Sequence, residues 1–408
     1  MKLFIDESIT PESQKWEKCI EREAILIDRP DEIRSMFWRD YNRLLHSKAY
    51  RRLKHKTQVF QATQNDDICT RIEHVGHVSS VSYTICDYLG LNKELAQAIA
   101  IGHDIGNAPF GHDGEYILAH LAKKYYGGTF WHEKNSLHFA DDIETLANST
   151  GIKQNLKLTY AVRDGLISHC GEVNEKVIFP RKEAVDLRVI TSPNEFAPYT
   201  WEACVVKIAD KISYLGRDIE DALQLNILNS NQIEELLSIL KPISNITFEE
   251  INNTVLIHNF IIDLCHFSSP KTGLGLSEPY FQALTRIKNF NYKHIYLHPR
   301  LNNYNRYAEL VLTSIFETLD QLFNTDSDKL LKEISLNKKQ YPMLIEHFEN
   351  WLIKYSNFAP HLRTSEKYQN NIIYTVTKNS DYRKAIVDFT SSLSDNYAIQ
   401  MYQEIIRF

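Results

Sequence analysis

Apolar residues recur every three or four positions along most of this chain, which is the spacing of an amphipathic α-helix. The clearest example runs from Val205 to Ala222, about five turns of helix. Other examples predict helices at residues 31–46, 81–89, 95–101, 112–126, 133–149, 230–241, 303–324, 340–356 and 380–405. Short strands are predicted at residues 176–180 and 294–299. The pattern as a whole predicts an all-α fold with a few short strands.

Composition indicates how many domains to expect. The chain has 408 residues, of which 43% are hydrophobic, so it is long enough for a large core and one or two domains. It contains only 14 Gly and 12 Pro, and it has no Gly/Ser-rich linker or internal repeat. We therefore expect a main helical body at residues 1–225 and a helical C-terminal region at residues 226–408, packed on the same core.

Charge and targeting signals limit the location of the protein and its partners. The formal net charge is -6, which argues against a nucleic-acid binder held by overall positive charge. The start of the chain has no apolar core of signal-peptide length, and no stretch approaches the roughly 18 apolar residues of a membrane span. The six cysteines lie far apart without a CxxC pair, as expected of buried thiols in a reducing compartment. We expect a cytoplasmic protein without a membrane partner.

The densest candidate chemistry lies between residues 70 and 115. A predicted apolar helix leads into His103 and Asp104, and glycines flank this pair. A neutral imidazole and a carboxylate suit a divalent cation, and a buried carboxylate is costly unless it is paired or bound to metal. A single His-Asp pair in a chain with 16 histidines is weak evidence on its own. The residues around the pair strengthen the metal interpretation.

A second pair, His112 and Glu115, lies three residues apart on one face of the next predicted helix. A carboxylate that orients an imidazole is typical of a general acid or base, although an exposed His–Glu contact has the same spacing. Arg71 and His74 project from about the same side of a helix that begins after Thr70. A guanidinium in that place suits a polyphosphate.

Two further groups have both a functional and a structural interpretation. Asp210, Tyr214 and Asp218 follow one another at four-residue steps, opposite the apolar stripe of the helix predicted from Val205 to Ala222. They form either a solvated face or, beside Lys211, a pocket for a metal ion and a sugar hydroxyl. Six Lys and Arg residues between positions 43 and 56 form either an exposed cationic face or a wall that binds phosphate or a nucleic-acid strand.

Taken in order, these elements resemble one family, the bacterial deoxyguanosine triphosphate triphosphohydrolases and their relatives in the HD superfamily. The matching segments are HSKAYRRLKHKTQVF (46–60), TRIEH (70–74), LGLNKELAQAIAIGHDIGNAPFGHDGE (89–115), RDGLISHCGE (163–172), ADKISYLGRDIEDA (209–222) and DFTSSLSDNYAIQMY (388–402). These segments are long, follow the order of the family's motifs and are spread over most of the chain, so the resemblance is specific. It implies an HD-domain helical bundle as the catalytic body, continued by the helical C-terminal region.

The resemblance implies metal-dependent hydrolysis of a deoxynucleoside triphosphate, dGTP or several dNTPs, to deoxynucleoside and inorganic triphosphate by attack at the α-phosphorus. The implied metal ligands are His74, His103, Asp104 and Asp210. The cation is left open among Mn²⁺, Mg²⁺ and transition metals such as Fe²⁺, Co²⁺, Ni²⁺ and Zn²⁺; it would polarise the phosphate and lower the pKa of a bound water. His112 and Glu115 fall at the catalytic pair of the family, and His132 falls where many members have a further active-site histidine.

The resemblance also implies contacts to the substrate. The expected contacts are Gln58, Val59, Tyr214 and Asp218 at the sugar, and Arg52, Arg71, Asn107 and Lys211 at the phosphates. Val59 matches the position where bulk excludes a 2′ hydroxyl. The family usually has a histidine where this chain has Asn107, and an amide can donate a hydrogen bond but cannot carry a proton, a difference that bears on activity and substrate choice. His77, one turn from His74, is interpreted as a helix-face residue.

Two other functions fit parts of the sequence. Another HD phosphohydrolase, acting on a nucleoside monophosphate or a cyclic dinucleotide, would lack the segments KTQVF and DKISYLGRD, which are present here. A nucleotide-sensing or single-strand-binding regulator would use the basic residues at 43–56, and single-strand binding is seen in this family. We expect a dNTP as the substrate, leave a nucleotide effector or single-stranded nucleic acid open as a further partner, and expect a homo-oligomer, which is usual in the family.

Overall fold

The structure, a computed structural model, describes residues 2–24, 31–60, 65, 67–148, 150–170, 175–243 and 253–407. Within these ranges it contains 17 α-helices and four short strands, so the prediction of an all-α fold is confirmed. None of these helices is both long enough and apolar enough to cross a membrane. The six cysteine thiols are buried and unbridged, as expected.

The elements follow one another along the chain in this order. The helices are α1 (Trp16–Ile20), α2 (Met36–Leu45), α3 (Lys48–Arg52), α4 (Arg71–Leu89), α5 (Lys93–Gly102), α6 (Gly111–Tyr126), α7 (His132–His138), α8 (Tyr160–Ser168), α9 (Trp201–Gln224), α10 (Ser230–Leu240), α11 (Asn253–Phe267), α12 (Glu278–Asn291), α13 (Pro299–Asp320), α14 (Ser327–Asn337), α15 (Pro342–Tyr355), α16 (Asn379–Ser391) and α17 (Asp395–Ile406). The strands are β1 (Thr145–Ala147), β2 (Lys153–Asn155), β3 (Val177–Ile178) and β4 (Leu274–Gly275), which form the antiparallel pairs β1–β2 and β3–β4.

The chain forms two compact units, each built from three separate segments. The first unit comprises Met1–Leu45, Ala62–Asp104 and Lys157–Asn302. The second unit comprises His46–Gln61, Ile105–Leu156 and Asn303–Phe408. Each unit draws residues from both sides of position 225, and the proposed division of the chain at that position stays a prediction.

Helix α5 lies at the centre of the first unit. Its apolar side chains, among them Leu95, Ile99 and Ile101, are almost completely buried, and the helix packs against α2, α4, α8 and α9. Asn92 caps its N-terminus, because the side-chain oxygen accepts hydrogen bonds from the amides of Glu94 and Leu95 at 3.1 Å. An apolar helix enclosed by neighbours in this way carries its C-terminal end into the interior of the unit.

Helices α4 and α9 pack on α5 and on each other. Thr70 caps α4, and the Glu73 side chain accepts a hydrogen bond of 2.7 Å from the Thr70 amide, which completes a capping box. Helix α4 ends at Leu89 and is followed by Gly90, whose φ of 90° is readily adopted by glycine. Helix α9 begins after Thr200, whose hydroxyl accepts a hydrogen bond of 3.1 Å from the Ala203 amide. These caps fix where each helix begins, and therefore which of its residues face α5.

In the second unit, α6 packs against α16, and α15 packs against α14, α16 and α17. The turn before α6 is tightly built. Phe110 has a φ of 64°, in the left-handed region that non-glycine residues rarely adopt. Gly114 lies directly against the Pro109 carbonyl, and a Cβ at position 114 would come within 1.7 Å of that oxygen. Only glycine fits there without movement of the turn.

Two predicted helices differ from the structure. The helix predicted at 133–149 ends at His138, and a π-helical turn leads from it towards strand β1. The helix predicted at 380–405 is two helices, because the chain leaves helical geometry after Ser391 and Ser394 caps a new helix, α17. Periodicity continues across such a break, since both helices bury an apolar face.

Of the two predicted strands, one is present and one is wrong. The prediction at 176–180 is confirmed by strand β3. The prediction at 294–299 is wrong, because Tyr292–Tyr296 form a π-helical turn that continues α12. A few residues of alternating polarity do not distinguish a strand from one helical turn.

Gly114→Ala should destabilise the protein. The added Cβ forces the turn before α6 to shift, at a cost of about 1–3 kcal/mol, which outweighs the gain of roughly 1 kcal/mol in helix propensity. Gly76→Ala in α4 is the matched control, because nothing lies within 4 Å of a Cβ at that position. Thermal unfolding should give a lower midpoint for Gly114→Ala and an unchanged or higher midpoint for Gly76→Ala. Equal midpoints for the two variants would contradict the close contact.

Candidate functional site

Three side chains from three elements of the first unit converge as a candidate metal-binding group. His74 lies on α4, His103 follows α5, and Asp210 lies on α9. One ligand atom from each lies within 4.8 Å of the other two. His74 Nε2 is 2.9 Å from Asp210 Oδ1, and His103 Nε2 is 3.7 Å from the same oxygen. Imidazole nitrogens and carboxylate oxygens at these separations can hold one divalent cation.

The ring of His103 is oriented by its own helix. Its Nδ1 lies 2.7 Å from the carbonyl oxygen of Ala100. Because a carbonyl oxygen only accepts, Nδ1 carries the proton, and the neutral ring presents the Nε2 lone pair towards Asp210. His103 and His74 are 0% and 3% exposed, whereas 15% of the Asp210 side chain is exposed. The group is therefore buried, with its access to solvent at Asp210.

Asp104, the fourth predicted ligand, is held by an arginine. Arg71 Nη1 donates a hydrogen bond of 2.8 Å to Asp104 Oδ2, and both side chains are almost completely buried. The same carboxylate oxygen is 3.6 Å from His103 Nε2, so Asp104 borders the metal-binding group. From the sequence, the Arg71 guanidinium was expected at the phosphates of the substrate. In the structure it offsets the charge of the buried Asp104 carboxylate at the edge of the metal-binding group.

His169 is a further residue of this centre, and sequence reasoning assigned it no role. It follows α8 directly, is 1% exposed, and forms a second candidate metal-binding group with His103 and Asp104. Its ring centroid is 5.0 Å from that of His103. The signal available in the sequence was its segment, RDGLISHCGE, but one histidine after an apolar helix has the same pattern as a histidine of the core.

Cationic side chains accompany Asp210 on α9. Lys211 is 5% exposed, and burial together with the charges of Lys207 and Lys288 lowers its pKa to about 8. Lys207 is almost completely buried, and its Nζ is 3.1 Å from Glu175 Oε2. Sequence reasoning identified Lys211 but not Lys207, because burial of a lysine is not visible in the pattern of the chain. The clustered ammonium groups suit an anionic ligand.

Tyr214 and Asp218, the predicted sugar contacts of the first unit, follow Asp210 along α9 at four-residue steps. Asp218 is 2% exposed, which rules out a solvated helix face for this residue. Its Oδ2 accepts a hydrogen bond of 2.5 Å from the hydroxyl of Tyr296. Tyr296 was missed because its segment was predicted to be a strand. The tyrosine holds the carboxylate of Asp218 in one orientation.

His112, Glu115 and His132 come together in the second unit. Glu115 Oε2 lies 3.7 Å from His112 Nδ1 and 3.0 Å from His132 Nδ1, and Glu115 Oε1 accepts a hydrogen bond of 2.9 Å from the His132 amide. Burial raises the pKa of Glu115, but the charge of His132 and hydrogen bonds with both histidines hold it well below its usual range. Glu115 is therefore an ionised carboxylate that orients two imidazoles, of which His112 is 66% exposed.

The basic segment at 43–56 does not form one cationic face. Its exposed members in the second unit are Lys48, Arg51 and Lys54. Lys56, in contrast, is 2% exposed and donates hydrogen bonds from Nζ to the carbonyl oxygens of Asn107 and Ser391. Arg52 forms an ion pair of 2.9 Å with Glu144. Two of the expected cations are thus engaged with groups of the protein itself.

The turn that leads to His112 is also held by Asp395 at the start of α17. Asp395 Oδ1 accepts a hydrogen bond of 2.9 Å from the Phe110 amide. Its Oδ2 accepts hydrogen bonds from the amide and the hydroxyl of Thr57, at 3.0 and 2.5 Å. Gln58, the next residue, is 9% exposed, and Val59 is half-buried. One carboxylate therefore holds both the turn before His112 and Thr57, the residue that precedes the predicted sugar contacts of this unit.

Two kinds of comparison with known proteins, with a family model and with individual relatives, agree with each other. The HD domain family model matches residues 71–215, which include the four predicted metal ligands. A deoxyguanosinetriphosphate triphosphohydrolase-like protein of Clostridium perfringens is 34% identical over 292 residues, covering 71% of this chain and 76% of the relative. The chain belongs to the family of this relative, the deoxyguanosinetriphosphate triphosphohydrolase-like proteins. Relatives of the same name from Clostridium tetani and Caldanaerobacter subterraneus are each 28% identical, covering 98% and 92% of this chain and 93% and 86% of the relatives.

The predicted site residues are divided between the two units. The first unit holds His74, His103, Asp104, Asp210, Arg71, Lys211, Tyr214 and Asp218. The second unit holds His112, Glu115, His132, Arg52, Gln58, Val59 and Asn107. The structure brings the metal candidates together and the acid–base candidates together, and the individual roles stay predictions.

Asp210→Ala should release the metal from the protein, because Asp210 belongs to the group with His74 and His103. His112→Ala should keep the metal, since His112 belongs to neither of the groups described above, and should lose about 10²–10⁴-fold in rate as expected of a general acid or base. Elemental analysis of the purified variants measures the first effect and hydrolysis measures the second. Equal metal loss in both variants would show that His112 has been assigned wrongly.

Proposed function

We propose that this protein hydrolyses a deoxynucleoside triphosphate, dGTP or several dNTPs, to deoxynucleoside and inorganic triphosphate in a metal-dependent reaction. The observation that carries the proposal is the buried group of His74, His103 and Asp210, with a guanidinium and ammonium groups beside it. A metal-binding group bordered by cations suits a substrate that carries several negative charges. The name of the relatives makes dGTP the first substrate to test.

The donor atoms fit a transition-metal dication better than Mg²⁺. Imidazole and carboxylate donors together suit Mn²⁺, Fe²⁺, Co²⁺, Ni²⁺ or Zn²⁺, whereas Mg²⁺ prefers an oxygen-only and largely hydrated shell. The residues that would hold the cation are His74, His103, Asp104 and Asp210. When bound, the cation supplies Lewis acidity at the phosphate and makes water easier to deprotonate.

Binding of the triphosphate is assigned to Arg71 and Lys211. A guanidinium can donate to two phosphate oxygens at once, which fixes the orientation of the phosphate as well as attracting it. Lys211 adds a positive charge at a buried position, where solvent and salt screen it weakly. Lys207, four residues earlier on α9, extends the positive charge along the helix. These residues bind and orient the nucleotide without transferring a proton.

Proton transfer is assigned to His112, with Glu115 and His132 as its partners. The Glu115 carboxylate lies near His112 Nδ1 and orients the imidazole, whose other ring nitrogen can take up and release a proton. His112 is exposed enough to reach water or a leaving oxygen, whereas His132 is largely buried. The proposed cycle has His112 Nε2 take a proton from the attacking water or return one to the 5′ oxygen.

Intact triphosphate should be released from at least one dNTP when the purified protein is incubated with each of the four dNTPs and with GTP at several divalent metals. Attack at the α-phosphorus separates the nucleoside from the whole triphosphate, so neither pyrophosphate nor single phosphate should form. Phosphorus NMR identifies the products. Asp210→Ala, purified in the same way, should be inactive, which controls for a contaminating phosphatase. The proposal fails if dNMP and pyrophosphate are the only products.

Removing the 3′ hydroxyl of the substrate should lower kcat/KM. Asp218 is proposed to bond this hydroxyl, and a buried polar group without its partner costs about 1–3 kcal/mol, or about ten- to a hundredfold in kcat/KM. A 2′,3′-dideoxynucleotide should therefore be a much poorer substrate than the matching dNTP. Asp218→Ala should reduce the difference in kcat/KM between the two nucleotides.

Glu220→Ala is the control for this comparison. Glu220 is on the same helix as Asp218, but its side chain is 40% exposed, so its removal should leave the difference between the two nucleotides unchanged. Equal kcat/KM for the dideoxynucleotide and the dNTP in the wild-type protein would mean that Asp218 serves only to bind Tyr296.

A further inference from the structure

His169 lies where a metal ligand would lie. It is 1% exposed, and one ligand atom of its ring lies within 4.8 Å of ligand atoms of both His103 and Asp104. The rings of His169 and His103 meet edge to face, with an interplanar angle of 82°. Two of the predicted metal ligands are therefore its immediate neighbours, although the residue itself is absent from the predicted ligand set.

The ring of His169 is oriented in the same way as that of His103. His169 Nδ1 lies 2.8 Å from the Leu166 carbonyl oxygen, three residues back along the chain, and His103 Nδ1 makes the same contact with Ala100. Because the carbonyl only accepts, Nδ1 of a neutral ring is the donor and Nε2 carries the lone pair. Metal-binding histidines are commonly held through their other nitrogen in this way.

The two candidate groups share His103, and this limits how they can be filled. A neutral imidazole that donates through Nδ1 has one lone pair, so His103 can bind only one cation. The group of His74, His103 and Asp210 and the group of His103, Asp104 and His169 therefore cannot each hold a cation of their own. We propose that His169 is a fifth protein ligand of this cation, in addition to His74, His103, Asp104 and Asp210.

This ligand set has consequences for the choice of metal. Three neutral imidazoles and two carboxylates balance the charge of a divalent cation. Five protein donors exceed the four of a tetrahedral zinc site and suit a six-coordinate ion such as Mn²⁺, Fe²⁺, Co²⁺ or Ni²⁺. One position of an octahedral shell then remains for water or substrate. The inference rests on the metal-binding part of the proposed function and is independent of the substrate.

X-ray absorption spectroscopy of the full chain loaded with Co²⁺, in the absence of nucleotide, tests the proposal by counting the imidazoles on the metal. The wild-type protein should show three, and His169→Asn should show two. The Asn side chain keeps an N–H donor near the Leu166 carbonyl and removes the second ring nitrogen. Calorimetry should show Co²⁺ affinity lowered by about ten- to a hundredfold or more in this variant.

His77→Asn is the matched control. His77 lies on α4 one turn after His74, is half-buried, and belongs to neither of the two groups described above. It should keep three imidazoles on the metal and the wild-type affinity, and thermal unfolding of both variants checks that they are folded. An equal imidazole count in the wild type and in His169→Asn, or an affinity within twofold of the wild type, would overturn the proposal.

The outcome separates this inference from the proposed function. A fall from three imidazoles to two, in a protein that cleaves no dNTP, would support His169 as a ligand and refute the triphosphohydrolase activity. Release of triphosphate with two imidazoles in both proteins would support the activity and refute His169 as a ligand. A folded wild-type protein that takes up no divalent cation would refute both.

Discussion

Charge buried in a helical core is the constraint on which the rest of this structure depends. A buried carboxylate is costly unless hydrogen bonds or an opposite charge compensate it. Glu202 is 0% exposed, and its Oε1 accepts hydrogen bonds of 3.0 Å from the amides of Ile9 and Asn92. This carboxylate ties the N-terminal segment and the start of α5 to the start of α9. The predicted metal ligand Asp104 follows the same rule through Arg71.

The position of His112 and Glu115 in the second unit depends on the same kind of contact, between residues far apart in sequence. Asp395 lies 285 residues after Phe110, yet its carboxylate holds the turn that leads to His112. That turn contains a left-handed residue, a conformation that persists only where surrounding contacts enforce it. Lys56 adds a second contact, because its Nζ donates hydrogen bonds to the carbonyl oxygens of both Asn107, in the same turn, and Ser391. The C-terminal helices therefore help to position His112 and Glu115.

The parts of the structure that could be predicted from the sequence are those set by neighbouring residues. The helices expected at 112–126, 230–241 and 340–356 match α6, α10 and α15 closely, because apolar spacing and helix caps are local. His169 and Tyr296 could not be predicted in this way. The role of each depends on its distance in space from residues far away in the chain. That distance cannot be read from the spacing of residues along the sequence.

Net charge was also a poor guide to the charge around the candidate site. The chain carries a formal charge of -6, yet the ammonium groups of Lys207 and Lys288 lie close enough to Lys211 to lower its pKa. Clustered cations repel one another, so a nearby polyanion relieves the repulsion more than a singly charged ligand does. Local charge, and not the total, therefore indicates which part of the protein suits an anionic ligand.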